Sequence, residues 1–183
     1  MKVIRKEVLE VERSEIKIGD ELEIKMDDGT VFWATAIAKQ DGKMLFVFNE
    51  CVSKQAVNIK GGTDGGYLES DIRGWLNEYF CKHLPEELQM MLTPNKDGDE
   101  LWLLSLKEVC GCDEHWDDCE GQLDYFKSEK NRVAEYEGET YPWWLRDVVS
   151  GASFAFVSGA GVAHCASASY TGIGVRPAFA IEA

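Results

Sequence analysis

Hydrophobic and polar residues alternate in short runs through the first third of the chain. "KVIRKEVLEV", "DELEIKM", "TVFWATAIAK" and "KMLFVFNE" each repeat with the period of two that a half-buried strand requires. "DDGT" (27–30) and "QDGK" (40–43) place Asp-Gly pairs between these runs, the turn chemistry of antiparallel hairpins. A β-meander is expected over residues 1–60. "NIKGGTDGGYLES" follows and reads as loop. No Gly-Lys-Ser/Thr follows its glycines, so it is not a phosphate-binding P-loop.

The period then changes. Ile72, Trp75, Leu76, Tyr79 and Phe80 fall at i, i+3, i+4, i+7 and i+8, and Ser70 precedes them as an N-cap, predicting a helix over 70–82. Pro85 opens a second helix over 85–92, with acidic residues near its positive end. "LWLLSLKEV" (101–109) reads as a strand or buried turn, "YPWWLRDV" as a buried strand, and "GVRPAFAIEA" as a final strand. Helices in the middle and strands at both ends predict an α+β fold with a mostly antiparallel sheet that brings the two ends of the chain together. With 183 residues and neither repeat nor linker, one domain over 1–183 is expected.

Composition sharpens this picture. The net charge is −14, yet residues 148–183 contain only Arg176 and Glu182, which cancel. All the excess negative charge therefore lies in 1–147, with no basic cluster to attract phosphate. Nucleic acid is excluded as a partner, and so is insertion into a membrane: no run of about 18 strongly apolar residues occurs. "MKVIRKEVLEVERSEIK" lacks the features of an export signal, so synthesis in the reducing cytoplasm is expected, with the six cysteines unpaired.

Residues 148–175 contain no Asp, Glu, Lys or Arg, but Gly, Ser, Thr and His break the stretch too often for a membrane span. Its turn glycines preclude one continuous strand, leaving hairpins and loops. Ser153, Phe154, Ser158, His164, Ser167, Ser169, Tyr170 and Thr171 are the candidate ligand contacts. Small hydroxyls and aromatics offer hydrogen bonds and apolar area without the desolvation cost of charge. Four further residues read as structural. Arg146 and Arg176 sit in apolar sequence, "WWLRDV" and "GVRPAF", where a guanidinium needs carboxylates or carbonyls around it. Trp143 and Trp144 should point to opposite sheet faces, with at least one in the core.

Catalytic and metal chemistry find little support. Cys110, Cys112, His115 and Cys119 in "CGCDEHWDDC" could form a soft zinc set, but the spacing departs from the usual paired Cys-x2-Cys. The preferred reading is an acidic, solvated loop with incidental thiols. His164 and Cys165, adjacent in an expected strand, point apart and cannot form an ion pair with each other. No catalytic residues, metal or cofactor are expected.

"SDIRGWLNEYF", "DELWLLSLKEV", "YPWWLR" and "GVRPAF", in that order, resemble the signature series of a bacterial and phage family, DUF6273, over roughly residues 18–181. In that series "WWLR" usually continues Ser-Pro, whereas here Asp147-Val148 follows. The resemblance implies a C-type-lectin-like fold, with "WWLR" and "GVRPAF" in the central sheet and the segment between them displayed. It also implies kinship with variable receptor-binding proteins of phages and bacteria, some diversified by retroelements that rewrite adenines. The implied function is non-enzymatic binding of a protein or cell-surface ligand, with residence on a virion as one setting. Asn codons altered only at adenine cannot become Lys, Glu, Gln, Met or Trp, and 148–175 contains none of these. The calcium-dependent sugar motifs of true C-type lectins are absent. Formylglycine-generating enzymes share the fold and use a cysteine pair; Cys165 falls in the corresponding region, which keeps an oxidoreductase as the alternative, beside an intracellular structural module.

Overall fold

The computed structural model describes residues 12–112 and 121–183. The expected strand in "KVIRKEVLEV" lies outside the described residues. The rest of the meander forms as expected: β1 (Glu21–Lys25), β2 (Val31–Gln40) and β3 (Lys43–Phe48) pair antiparallel in sequence order. At the tight β2–β3 turn both central residues take positive φ, Asp41 at 50° and Gly42 at 75°, the geometry that Asp-Gly tolerates. A short β4 (Ser53–Lys54) and the glycine-rich loop follow.

Ser70 caps α1 (Asp71–Gly74), its Oγ accepting from the Arg73 N–H at 3.3 Å. The helix then widens into a π-helical segment over Trp75–Phe80 and tightens into a 3-10 turn over Cys81–His83. In the wider turn residues four apart line up. Ile72, Leu76 and Phe80 consequently form the buried stripe, while Trp75 is only half-buried and Tyr79 is exposed. The second helix, α2 (Glu86–Gln89), is shorter than the expected 85–92.

"LWLLSLKEV" is neither a strand nor a simple turn. Trp102 makes a single bridge to Ala178, and the chain then enters α3 (Leu106–Cys110). Ser105 and Glu108 form a reciprocal capping box: the Glu108 N–H donates to Ser105 Oγ at 3.1 Å, and the Ser105 N–H to Glu108 Oε2 at 2.7 Å. The apolar run misled because Leu101, Leu103, Leu104 and Leu106 are all buried in non-strand backbone.

β5 (Ala134–Tyr136) and β6 (Glu139–Tyr141) make a two-stranded ribbon. β7 (Trp143–Ser150), β8 (Ser153–Val157) and β9 (Ala163–Ser167) form successive antiparallel hairpins. The expected final strand is two strands in two sheets, β10 (Gly174–Val175) and β11 (Ala178–Glu182), parted at Arg176-Pro177. One sheet has the order β1-β2-β3-β11 and the other β4-β10-β7-β8-β9; among the named strand pairings of the described residues only β10–β7 is parallel, beside a single parallel bridge between Glu50 and Glu135. This is a mixed α and β architecture with mostly antiparallel sheets, and β11 joins the C-terminal end of the chain to the meander as expected. Among the described residues no helix is long and apolar enough to cross a membrane.

The core runs through both sheets. Phe46 and Phe179 stack with ring centroids 5.2 Å apart, and Phe48 meets Phe179 and Phe80 edge-on at 5.8 and 6.0 Å. Phe48 on β3 thus meets Phe80 of the helical stripe, and β3 is buried continuously over residues 44–48 rather than on one face as a half-buried strand would be.

Candidate functional site

Two buried tryptophans anchor the strand that leads into the uncharged stretch. Trp143 and Trp144 are both fully buried, beyond the expectation for at least one of them. Trp143 Nε1 donates to Arg132 O and Trp144 Nε1 to Gln55 O, each at 2.8 Å, so neither indole leaves its polar atom unpaired.

After Trp144 the register with β8 breaks: Trp144 faces Phe156, but Val148 already faces Phe154. The extra residues form a bulge over Leu145–Asp147 that turns the backbone toward α3. The Arg146 N–H donates to Leu104 O at 3.0 Å, Nη1 donates to Leu103 O at 3.1 Å, and Nη2 lies 3.1 Å from Glu108 Oε2. Asp147 accepts from the Leu106 N–H at the start of α3. Asp147 thus secures the neighbouring helix. Arg146 is an anchor, although its side chain remains about one-third exposed.

Arg176 is the interior counterpart, at 2% exposure. Nε donates to Phe48 O at 2.7 Å and Nη1 to Asn131 O at 3.2 Å, and the guanidinium lies 4.9 Å from the Trp143 ring centroid and 5.9 Å from that of Phe126. Its hydrogen-bond acceptors among the described residues are carbonyls, the second of the two expected partner types. Burial pushes its pKa down to about 10, which leaves it charged at neutral pH. The cation therefore sits where the chain crosses between sheets, fastening the end of β3 to the 131–132 segment. Gly174 permits this crossing: a Cβ there would lie 2.5 Å from Cys51 Sγ and 3.1 Å from Pro142 O.

Between these anchors the expected contact residues divide. Phe154 is wholly buried and is removed from the ligand set: β8 is an interior strand, and Phe154 and Ala155, on its two faces, are both sealed. Ser153 and Ser158 are half-buried, and Ser158 Oγ accepts from the Val162 N–H in the β8–β9 turn. His164, Ser167, Ser169, Tyr170 and Thr171 are exposed together on and just beyond β9, the edge strand. The His164 ring stacks on Phe156 at 5.7 Å, and Phe156 meets Trp144 edge-on at 6.2 Å, so an aromatic row leads from the core to the rim. Ser167 and Ser169 hydroxyls lie 3.1 Å apart.

The glycine-rich loop borders this face, which the sequence reading missed. The Asn58 N–H donates to Ala168 O at 3.0 Å and Thr63 Oγ1 to Ser150 O at 3.0 Å. Ile59, next to Asn58 on this loop, is 79% exposed. Asp64, Glu69 and Asp71 line a cleft of about 360 Å³ on the loop, where the uncharged surface ends. Only the loop's tertiary bonds to Ala168 and Ser150, invisible in sequence, place it here.

Chemistry at other points is sparse. Cys165 is exposed on β9, whereas Cys51 and Cys81 are buried thiols that desolvation pushes up to about 12, and Cys110 is pushed up to about 11. Of the zinc candidates, Cys110 and Cys112 are half-buried at the end of α3, and His115 and Cys119 lie outside the described residues. No group of three or more His, Cys, Asp or Glu able to hold a metal occurs among the described residues. A cleft of about 480 Å³ is lined by Glu21, Trp33, Glu50 and Glu135 among others; burial first, then the Glu135 charge, raises the Glu50 pKa.

A family model covers residues 41–183, from the β2–β3 turn to the last residue, and so includes every anchor and rim residue described above. The chain belongs to the DUF6273 family, described as a domain of unknown function. The matched part of this DUF6273 domain starts later than the 18–181 resemblance, and β1 and β2 precede it while completing its first sheet. No curated protein and no solved structure matches the chain.

Proposed function

We propose that this DUF6273 domain is a non-enzymatic binding module that presents β9 and its flanking turns to a protein or cell-surface ligand. The observation that carries the reading is the contrast across one hairpin. β8 is sealed at Phe154, Ala155 and Val157, on both of its faces, while β9 exposes His164, Cys165, Ser167 and the Ser169–Thr171 turn with no charged group among them. Such a surface loses little on desolvation, and its supporting strand is rigid. In this reading the fold is C-type-lectin-like, with β7 and β10 holding the ends of the displayed segment, and the segment is a site of diversification as in phage and retroelement-associated receptor binders. The domain is made in the cytoplasm and carried to its ligand on a particle such as a virion.

Sequencing the locus in many isolates tests the diversification. Adenine-directed substitutions concentrated in codons of the exposed residues, sparing Trp143, Trp144, Phe154 and Arg176, are expected. Variation spread evenly over core and rim overturns it. Binding is tested by comparing capture of surface proteins by the wild-type chain with capture by the folded His164→Asp, Tyr170→Asp double variant. A partner retained equally by both contradicts the assignment of the face.

A further inference from the structure

A third concavity, built from elements other than β8 and β9, has a different character from the two clefts above. It holds about 300 Å³ between β3 and β11 of the first sheet, the 94–97 loop, Glu108 of α3 and Arg146 in the bulge of β7. Its floor is apolar, made by Leu45 and Ala180, which are register partners on β3 and β11, with Trp102 beside them. These three are nearly buried already, so an occupant completes their exclusion from water.

Charges of both signs surround this floor. Lys43, Lys96 and Arg146 are opposed by Asp41, Asp97 and Glu108, giving a balanced rim on a molecule of net charge −14. Part of that rim is satisfied internally. Arg146 is held by Glu108, and Lys43 Nζ donates to Pro94 O at 3.2 Å. The Lys96 ammonium and the side-chain carboxylates of Asp41 and Asp97 have no partner among the described residues. A purely anionic ligand would meet three carboxylates, and a purely cationic one three cations. A zwitterion meets both signs favourably.

We propose that this groove binds a free α-amino acid with an apolar side chain. Its carboxylate lies toward Lys96 and the solvent edge of Arg146, its ammonium toward Asp97 and Asp41, and its side chain on Leu45, Ala180 and Trp102. The volume stands at the lower end of the range for small-molecule sites, which suits one amino acid and not a longer peptide. A ligand of so few atoms is expected to bind with a Kd of about 10 µM to 1 mM.

Isothermal titration calorimetry of the whole chain with leucine, N-acetyl-leucine, leucinamide and glycine tests this. Leucine should give saturable heat, and each of the other three should bind roughly tenfold or more weakly, since each lacks one of the three recognised features. A Lys96→Ala, Asp97→Asn variant changes two exposed side chains in a loop and should fold with an unchanged melting temperature yet lose leucine binding. N-acetyl-leucine binding as well as leucine would show a plain carboxylate site and overturn the proposal. Undiminished binding by the double variant would overturn it too, as would absence of saturable heat with leucine, valine and phenylalanine up to ~10 mM.

Discussion

β7 and β9 flank the same strand, β8, and differ in almost every physical respect. β7 begins with two buried indoles whose N–H groups are both satisfied, and Arg176 lies over the first of them. β9 has water on both faces and makes strand contacts on one side only. A charge-free sequence is therefore no single structural statement. Absence of charge marks core in Phe154, Ala155 and Val157, and surface in Ser167, Tyr170 and Thr171. Position within the sheet decides between them.

The largest effect should come from the closed side. Trp143→Ala removes a fully buried indole and the ring beneath Arg176, and should cost about 3–5 kcal/mol in chemical denaturation. A loss below about 1 kcal/mol would break the division between the two strands.

Arg176→Met comes next. It preserves much of the side-chain volume but leaves the Phe48 and Asn131 carbonyls without their donor. A loss of about 2–3 kcal/mol, or roughly 4–12 °C in melting temperature, is expected. Arg146→Met should cost less, because Arg146 is partly solvated and its partner Glu108 keeps its bond from the Ser105 N–H. Equal losses at the two arginines would erase the distinction between interior and rim anchors.

The smallest effect concerns Glu50. Its raised pKa means that the folded state holds this proton more tightly than the unfolded chain, so Glu50 lowers stability as the pH rises through its folded pKa. Glu50→Gln should therefore raise the melting temperature at pH 7 by about 1–2 °C, a value discounted for solvent screening. The gain should vanish once wild-type Glu50 is itself protonated at low pH. A gain that persists there would assign the effect to packing.

Much of this fold is legible in local pattern. The Asp-Gly turn, the Ser70 cap and the short apolar runs of β1–β3 are short-range signals, and each of these elements stands where its pattern put it, although β2 and β3 are buried continuously over residues 34–38 and 44–48 rather than at alternate positions. The π-helical segment was not legible, because its stripe at 72, 76 and 80 is a subset of an ordinary helical one. The start of α3 was signalled by Ser-x-x-Glu at 105–108, but the leucines around it satisfied a strand template equally well. The candidate face was visible as a stretch without charge. The burial of Phe154 was not, since it follows from β8 lying between β7 and β9, and strand order is a long-range property.

The β9 face is held to be free of folding duties, and one variant bears on this: His164, Ser167, Ser169, Tyr170 and Thr171, all exposed, replaced together by Asn, followed by thermal unfolding beside Arg176→Met. Substitutions at exposed positions usually change stability by no more than about 0.5 kcal/mol in either direction. The fivefold variant is expected to melt cooperatively and to lose less than the single change at Arg176. A fivefold variant that is unfolded, or less stable than Arg176→Met, would show that the stretch serves as core.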